Sequence, residues 1–298
     1  MFFSGTHTAL VTPWTGDLSA VDYGTLRKLV DWQVNSGVDG LVIAGTTGES
    51  ATLTHPEQEE LIARSVEVIG RRCLVLAGSG SNNTAESRAL AKAATAAGAD
   101  ALLVITPYYN RPTQEGLFRH YAAMAEASPL PIMIYNVPVR TGTNILPETV
   151  AKINREFPHV NAIKEASGNL DQISRLRQIA PDVQILSGDD SITLPIMAVG
   201  GTGAVSVISN LAPAATSAMV TTALRNDFAG AAKEHARLFP LMKACFVETN
   251  PGPVKAALQM MGKGNGLLRS PMTEPSPENK KIILDALRQS GLADGNMN

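Results

Sequence analysis

The stretch Ile132-Met-Ile-Tyr-Asn-Val-Pro138 is a short apolar run closed by polar and turn-forming residues, and the chain repeats that design. Before it come TALVTP (8–13), GLVIAGTT (40–47), LVLAGSG (74–80) and ALLVITPYY (101–109). After it come AIKEASG (162–168), QILSGDD (184–190) and AVSVISN (204–210), which makes eight runs in all. Their apolarity is continuous rather than alternating, as expected of strands buried on both faces of a parallel sheet. Helical stretches with identifiable starts separate them. Thr54-His-Pro-Glu57 has the form of a capping box ahead of LIARSVEVI, which Gly70 stops. Asn83-Thr-Ala-Glu86 opens a second helix of the same kind, ending at Gly98. Pro147 occupies a first-turn position before ETVAKI.

Eight strands alternating with helices fit a closed (β/α)8 barrel, a TIM barrel, over residues 1–225. An open doubly wound sheet is the competitor. It needs a glycine fingerprint after its first strand, and both Gly78-Ser-Gly80 and Gly200-Gly201-Thr-Gly203 miss the spacing. Beyond Asn210 the strand pattern stops. AATSAMVTTALRN closes the barrel, and three further helical stretches over 226–298 form an extension expected to pack on the same core.

Composition excludes several classes of function. The 298 residues are 44% hydrophobic and 17% charged, with a net charge of −2 and no long run of one sign, so neither nucleic acid nor an anionic membrane is the expected partner. The opening MFFSGTHTALVTPW lacks a basic n-region, and no apolar run reaches the length of a membrane span, so a cytoplasmic enzyme is expected. Cys73 and Cys245 give no disulfide framework and read as buried apolar fillers. The five histidines are scattered, so no metal and no nucleotide is expected.

In such a barrel, polar residues at the C-terminal ends of the strands face the site. These are Thr12, Thr46, Thr47, Tyr108, Tyr109, Tyr135, Asn136, Lys164, Glu165, Ser187, Gly188, Asp189 and Ser206; one is a cation. Lys164 ends the run that begins at Val160, where lost hydration favours a neutral amine able to attack a ketone. The alternative is a lysine that only braces the rim, but adjacent strand residues point to opposite faces, which makes Glu165 a poor partner. Tyr135 suits proton shuttling to a carbinolamine; the alternative is a barrel-filling aromatic. Thr46-Thr47-Gly48 can form a small carboxylate-binding nest or an ordinary capped turn. Arg140 can grip a carboxylate with two prongs, or be a solvated loop arginine. Asp189-Asp190 precede a helical run and read as N-caps rather than metal ligands.

Several motifs taken together are similar to the dihydrodipicolinate synthase family. They are Gly45-Thr-Thr-Gly-Glu-Ser50, Pro107-Tyr-Tyr-Asn-Arg-Pro112, Tyr135-Asn-Val-Pro138 with Arg140-Thr-Gly142, and Ile163-Lys-Glu-Ala166. Leu186-Ser-Gly-Asp-Asp190, Phe246-Val-Glu with Asn250-Pro251, and Pro271-Met-Thr273 complete the set, and the likeness runs from Met1 to about Leu292. The resemblance implies condensation of pyruvate with L-aspartate 4-semialdehyde, a lyase reaction on the diaminopimelate route to lysine, in a homotetramer without an external cofactor. It further implies Lys164 as the Schiff-base lysine and Tyr135 as the general acid/base, with Thr46 and Tyr109 as relay partners, Tyr109 reaching across a subunit interface. Thr47 would contact pyruvate's carboxylate and Arg140 the second substrate's, while Gly188 and Val205 line the pocket. Positions resembling an interface site for inhibitory L-lysine are Ser50, Ala51, His55, Asn82, Glu86 and Tyr108. A histidine often found in sensitive members is Gln58 here, and this leaves inhibition open. Two rivals remain: an aldolase cleaving sialic acid or a keto-deoxy sugar acid, and a binding barrel without catalysis.

Overall fold

Every apolar run contributes a strand, and every strand pairs in parallel with the next. The computed structural model describes residues 2–293, so Met1 and residues 294–298, the outer ends of the expected barrel and extension, lie outside the described residues. In order, β1 (Gly5–Ala9), β2 (Gly40–Ile43), β3 (Leu74–Gly78) and β4 (Ala101–Ile105) are followed by β5 (Ile132–Asn136), β6 (Val160–Glu165), β7 (Gln184–Ser187) and β8 (Gly203–Ser206). β8 pairs back onto β1, which closes the barrel.

The crossovers carry α1 (Tyr23–Asn35), α2 (His55–Ile69), α3 (Thr84–Ala96) and α4 (Gln114–Ala127). They continue with the short α5 (Pro138–Thr141), α6 (Pro147–Glu156), α7 (Leu170–Ile179) and α8 (Thr193–Ala198). α9 (Pro213–Leu224) packs against β1 and β8. Beyond it come α10 (Phe228–Ala244), α11 (Gly252–Met260) and α12 (Pro277–Gln289); α12 packs on both α10 and α11, and α10 also on α9. None of these helices is long and apolar enough to cross a membrane, among the described residues.

Strand alternation splits the apolar residues into two cores. Ala9, Val42, Leu76, Leu103, Met133, Tyr135, Ala162, Leu186 and Val205 fill the barrel interior. Leu41, Ile43, Val75, Leu102, Val104, Ile134, Ile163 and Ile185 face outward and meet the helices. The capping box at Thr54 forms as the sequence implies, with Glu57 returning a bond to the Thr54 N–H. The one expected at Asn83 does not. Asn83 caps α3 by accepting from the Ala85 N–H, while Glu86 instead accepts from the Ser81 hydroxyl at 2.7 Å.

Other expectations shift. The first strand covers Gly5–Ala9 rather than 8–13, because the buried segment after it bonds outside the ladder; the Val11 N–H, for example, donates to the Asn210 side chain. Asp189 caps the turn before α8 by accepting from the Ser191 N–H. Asp190 does not cap; its carboxylate accepts from the Val207 and Ile208 N–H groups beyond β8. Cys245 is buried, as a filler should be, but Cys73 is only half-buried at the start of β3.

His7 lies within β1 and is fully buried. A Cβ at Gly40 would stand 2.4 Å from its Nδ1, so glycine there makes room for the ring. Neither ring nitrogen finds a well-aligned partner among the described residues. Burial pushes the imidazole down to about 4, and the Ser4 backbone offsets only part of this. Between pH 6.5 and 4 the unfolded chain therefore takes up a proton that the native state refuses, so acidification destabilises the fold, by about 3 kcal/mol once complete. Denaturant titrations of His7→Leu across that window should show a shallower fall in stability than wild type. An unchanged slope would contradict the assignment.

Candidate active site

The strand register delivers the central pair. Tyr135 on β5 lies directly opposite Lys164 on β6, and Lys164 opposite Leu186 on β7, all on the inner face at the C-terminal end of the barrel. The Lys164 Nζ sits 4.1 Å from the centre of the Tyr135 ring. Both side chains are buried, at 5% and 6% exposure. No carboxylate pairs with Lys164 among the described residues. Gly188 follows β7 at this level. A Cβ there would approach the Lys164 Cγ and Cε to 3.0 Å, so glycine gives the lysine stem its path.

Glu165, one residue on, points the other way. Its carboxylate accepts from the Asn136 side-chain amide, the Ser167 N–H and the Gln172 side-chain amide. Burial pushes this carboxyl up, and those donors pull it back. It ties β5, β6 and α7 together behind the site.

The segment after β2 carries Thr46 and Thr47 between two left-handed residues, Ala44 at φ 54° and Glu49 at φ 57°. Non-glycine residues in that region store strain and occur often near functional loops. Thr47 is buried and Thr46 half-buried. The Thr47 hydroxyl oxygen accepts from the Asn250 side-chain amide at 2.9 Å. Arg140, on α5, donates from Nη2 to the Asn250 carbonyl at 3.4 Å.

Two cavities meet at Tyr135 and Arg140. One, of about 360 Å³, is also bounded by Thr46, Ser50, Ala51, His55, Gln58, Glu86 and Tyr108. The other lies between the barrel mouth and the extension, with Gly188, Asp189, Lys243 and Asn250 in its wall. Val205 is buried within the barrel interior and borders neither. Asn82 also stays outside; its carbonyl accepts from the Asn110 side chain. The Gln58 amide donates to the Gly78 carbonyl at 2.7 Å.

Tyr109 departs most from the cluster. It is 89% exposed, with φ 70°, and its N–H donates to the Thr141 carbonyl, which fixes the loop while the ring projects outward. Among the described residues no group of three or more histidine, cysteine, aspartate or glutamate side chains is placed to hold a metal ion.

Reading strand ends missed what the extension brings. Glu49, on the loop after β2, forms a buried ion pair with Lys255 of α11. Asn250 and Arg269 also come from beyond the strand pattern. Only the motifs Phe246-Val-Glu with Asn250-Pro251, and Pro271-Met-Thr273, pointed toward this segment.

Residues 2–290 match the Dihydrodipicolinate synthetase family. The chain is 48% identical to the 4-hydroxy-tetrahydrodipicolinate synthase of Nitratidesulfovibrio vulgaris (strain Miyazaki F), over 98% of this chain and 100% of the relative. It is 47% identical to the Methanocaldococcus jannaschii enzyme of that name, over 97% and 99%. Among solved structures, the dihydrodipicolinate synthase of Aquifex aeolicus superposes with a TM-score of 0.96 at 41% identity, covering 99% of this chain and 100% of that one. The Cyanidioschyzon merolae enzyme, solved with lysine bound, gives 0.95 at 40% identity, over 98% and 99%. Sequence and structure agree over nearly the whole length, and the chain belongs to the dihydrodipicolinate synthetase family.

Proposed function

We propose that this chain condenses pyruvate with L-aspartate 4-semialdehyde to give 4-hydroxy-tetrahydrodipicolinate, on the diaminopimelate route to lysine, through a Schiff base on Lys164. The observation that carries the reading is the Lys164 amine, without an ionic partner among the described residues and 4.1 Å from the Tyr135 ring centre at the barrel mouth. The relatives carry the synthase name, and neither sugar-acid cleavage nor a binding barrel is favoured.

Neutral Lys164 adds to the ketone carbon of pyruvate, and loss of water leaves an iminium. The iminium acidifies the methyl group, and a methyl proton leaves to give an enamine. Tyr135 moves protons in both steps, with Thr46 as its relay partner. The enamine carbon bonds to the aldehyde carbon of the semialdehyde, whose oxygen takes a proton. The semialdehyde's own amine then displaces Lys164 and closes the ring. The lysine is the electron sink, so the scheme calls for no external cofactor.

Thr47 holds pyruvate's carboxylate and Arg140 that of the second substrate, while Gly188 shapes the pocket and Val205 packs in the barrel interior. Tyr109 completes the relay of a neighbouring subunit in a homotetramer. Its 89% exposure, on a loop whose backbone is bonded to the Thr141 carbonyl, supports that role by leaving the ring free to meet a neighbouring subunit. Ser50, Ala51, His55, Glu86 and Tyr108, which border one cavity, are the candidate site for an L-lysine effector, with Asn82 next in sequence to the cavity-lining Ser81. With Gln58 committed to Gly78, His55 and Glu86 are the ionisable groups there suited to meet its charged ends. A cytoplasmic location fits a biosynthetic enzyme of this kind.

A coupled assay with both substrates tests the reading; cleavage of a sugar acid in place of condensation would overturn it. Tyr135→Phe should lower kcat by roughly 10²–10³-fold while a borohydride-reducible pyruvate adduct still accumulates. An unchanged kcat in that variant would remove Tyr135 from the proton path.

A further inference from the structure

We infer that Asn250, contributed by the extension rather than the barrel, is a positioning residue that sets the direction in which Thr47 offers its hydroxyl proton and braces Arg140. The inference rests on the reading that Thr47 meets pyruvate's carboxylate. Asn250 is 4% exposed. Its Nδ2 donates to the Thr47 Oγ1 at 2.9 Å, and its carbonyl accepts from the Arg140 Nη2 at 3.4 Å. One residue thus touches both groups assigned to the two substrates' carboxylates.

The direction of the first bond is what matters. A hydroxyl has one proton to give and lone pairs to receive. With the Asn250 amide filling the acceptor side of Thr47, the hydroxyl proton stays available for an anion. The arrangement leaves the Asn250 Oδ1 buried and without a hydrogen-bond partner among the described residues, so the side chain's polar contact there is the one it gives to Thr47.

The extension holds Asn250 from both sides. The Glu248 carboxylate accepts from the Ser276 N–H at 2.8 Å and from the Asn279 amide at 2.7 Å, at the start of α12. On the other side, Lys255 fastens α11 to Glu49, which shares its loop with Thr47.

Steady-state kinetics of Asn250→Ala and Asn250→Asp test this. Asn250→Ala should raise the KM for pyruvate about tenfold with little change in kcat, and raise that for the semialdehyde less, since the Arg140 contact uses the backbone. Asn250→Asp places an acceptor and a negative charge beside Thr47, so its pyruvate KM at neutral pH should rise further, roughly 100-fold. That KM should fall again as acid protonates the new carboxyl and restores a donor, a trend wild type lacks. A purely structural residue would not produce this pH-dependent rescue.

Should Asn250→Ala fail to fold, the nearly isosteric Asn250→Asp carries the test by its pH profile alone. Wild-type pyruvate KM values in Asn250→Asp at every pH would overturn the inference while leaving the Schiff-base reading intact. If wild type itself traps no pyruvate on reduction with borohydride, the underlying reading fails first.

Discussion

Lys164→Ala is expected to abolish condensation, lowering kcat/KM by about 10⁴-fold or more, equivalent to ~5 kcal/mol of transition-state stabilisation. The size follows from the mechanism. In the proposed scheme every intermediate from the carbinolamine to the enamine is carried on the Lys164 Nζ, so no neighbouring group can substitute for it. Lys164→Arg should fail as well, because a guanidinium stays charged and does not add to a ketone. The fold should survive both changes better than the activity does. Lys164 makes no ion pair and no hydrogen bond among the described residues, so its removal orphans no partner. Coupled-assay rates beside thermal unfolding midpoints would separate the two effects. Appreciable turnover by a folded Lys164→Ala protein would contradict the assignment.

The second large effect concerns stability. Glu49 and Lys255 form a buried ion pair, with side chains only 1% and 3% exposed. The Glu49 carboxylate also accepts from the Trp14 ring N–H at 3.0 Å and the Arg269 backbone N–H at 3.1 Å. The Lys255 ammonium donates in addition to the Thr12 carbonyl at 2.8 Å. Arg269 lies 3.9 Å above the Trp14 ring and pairs with Glu57, holding that carboxyl down at about 2. The loops after β1 and β2, α2, α11 and the segment before α12 are therefore joined by one network of charges, Glu49 with Lys255 and Arg269 with Glu57.

Removing one partner leaves the other buried and uncompensated, which typically costs 3–5 kcal/mol, so Lys255→Met should lower Tm by roughly 10 °C. Lys255→Met combined with Glu49→Gln should lose less than the two single losses summed, because neither orphan charge then remains. Single losses that simply add in the double variant would contradict a coupled pair.

How much of this was legible in the sequence depended on whether the signal was local. Strands such as Ile132–Asn136 announce themselves because burial on both faces demands unbroken apolarity, and the polar residue closing each run then falls at the barrel mouth. That rule found Lys164 and Tyr135, and parity alone predicted that Glu165 would point away. The first strand was displaced because residues 11–14 follow it as a buried segment but bond to Asn210 and the extension instead. Asn83-Thr-Ala-Glu86 has the spacing of a capping box, but the Ser81 hydroxyl competes successfully for Glu86. The contacts of Lys255 and Asn250 were hidden for a different reason. Their partners, Glu49 and Thr47, lie some 200 residues earlier in the chain, and no pattern along a helix records a contact across that separation.

The most direct test of the central claim is to incubate the wild-type protein with pyruvate, reduce with borohydride and locate the adduct by peptide mass spectrometry. A single pyruvate-derived modification on Lys164, absent without pyruvate and absent in Lys164→Ala, is the predicted result. An unmodified Lys164, or an adduct on another lysine, would contradict the account.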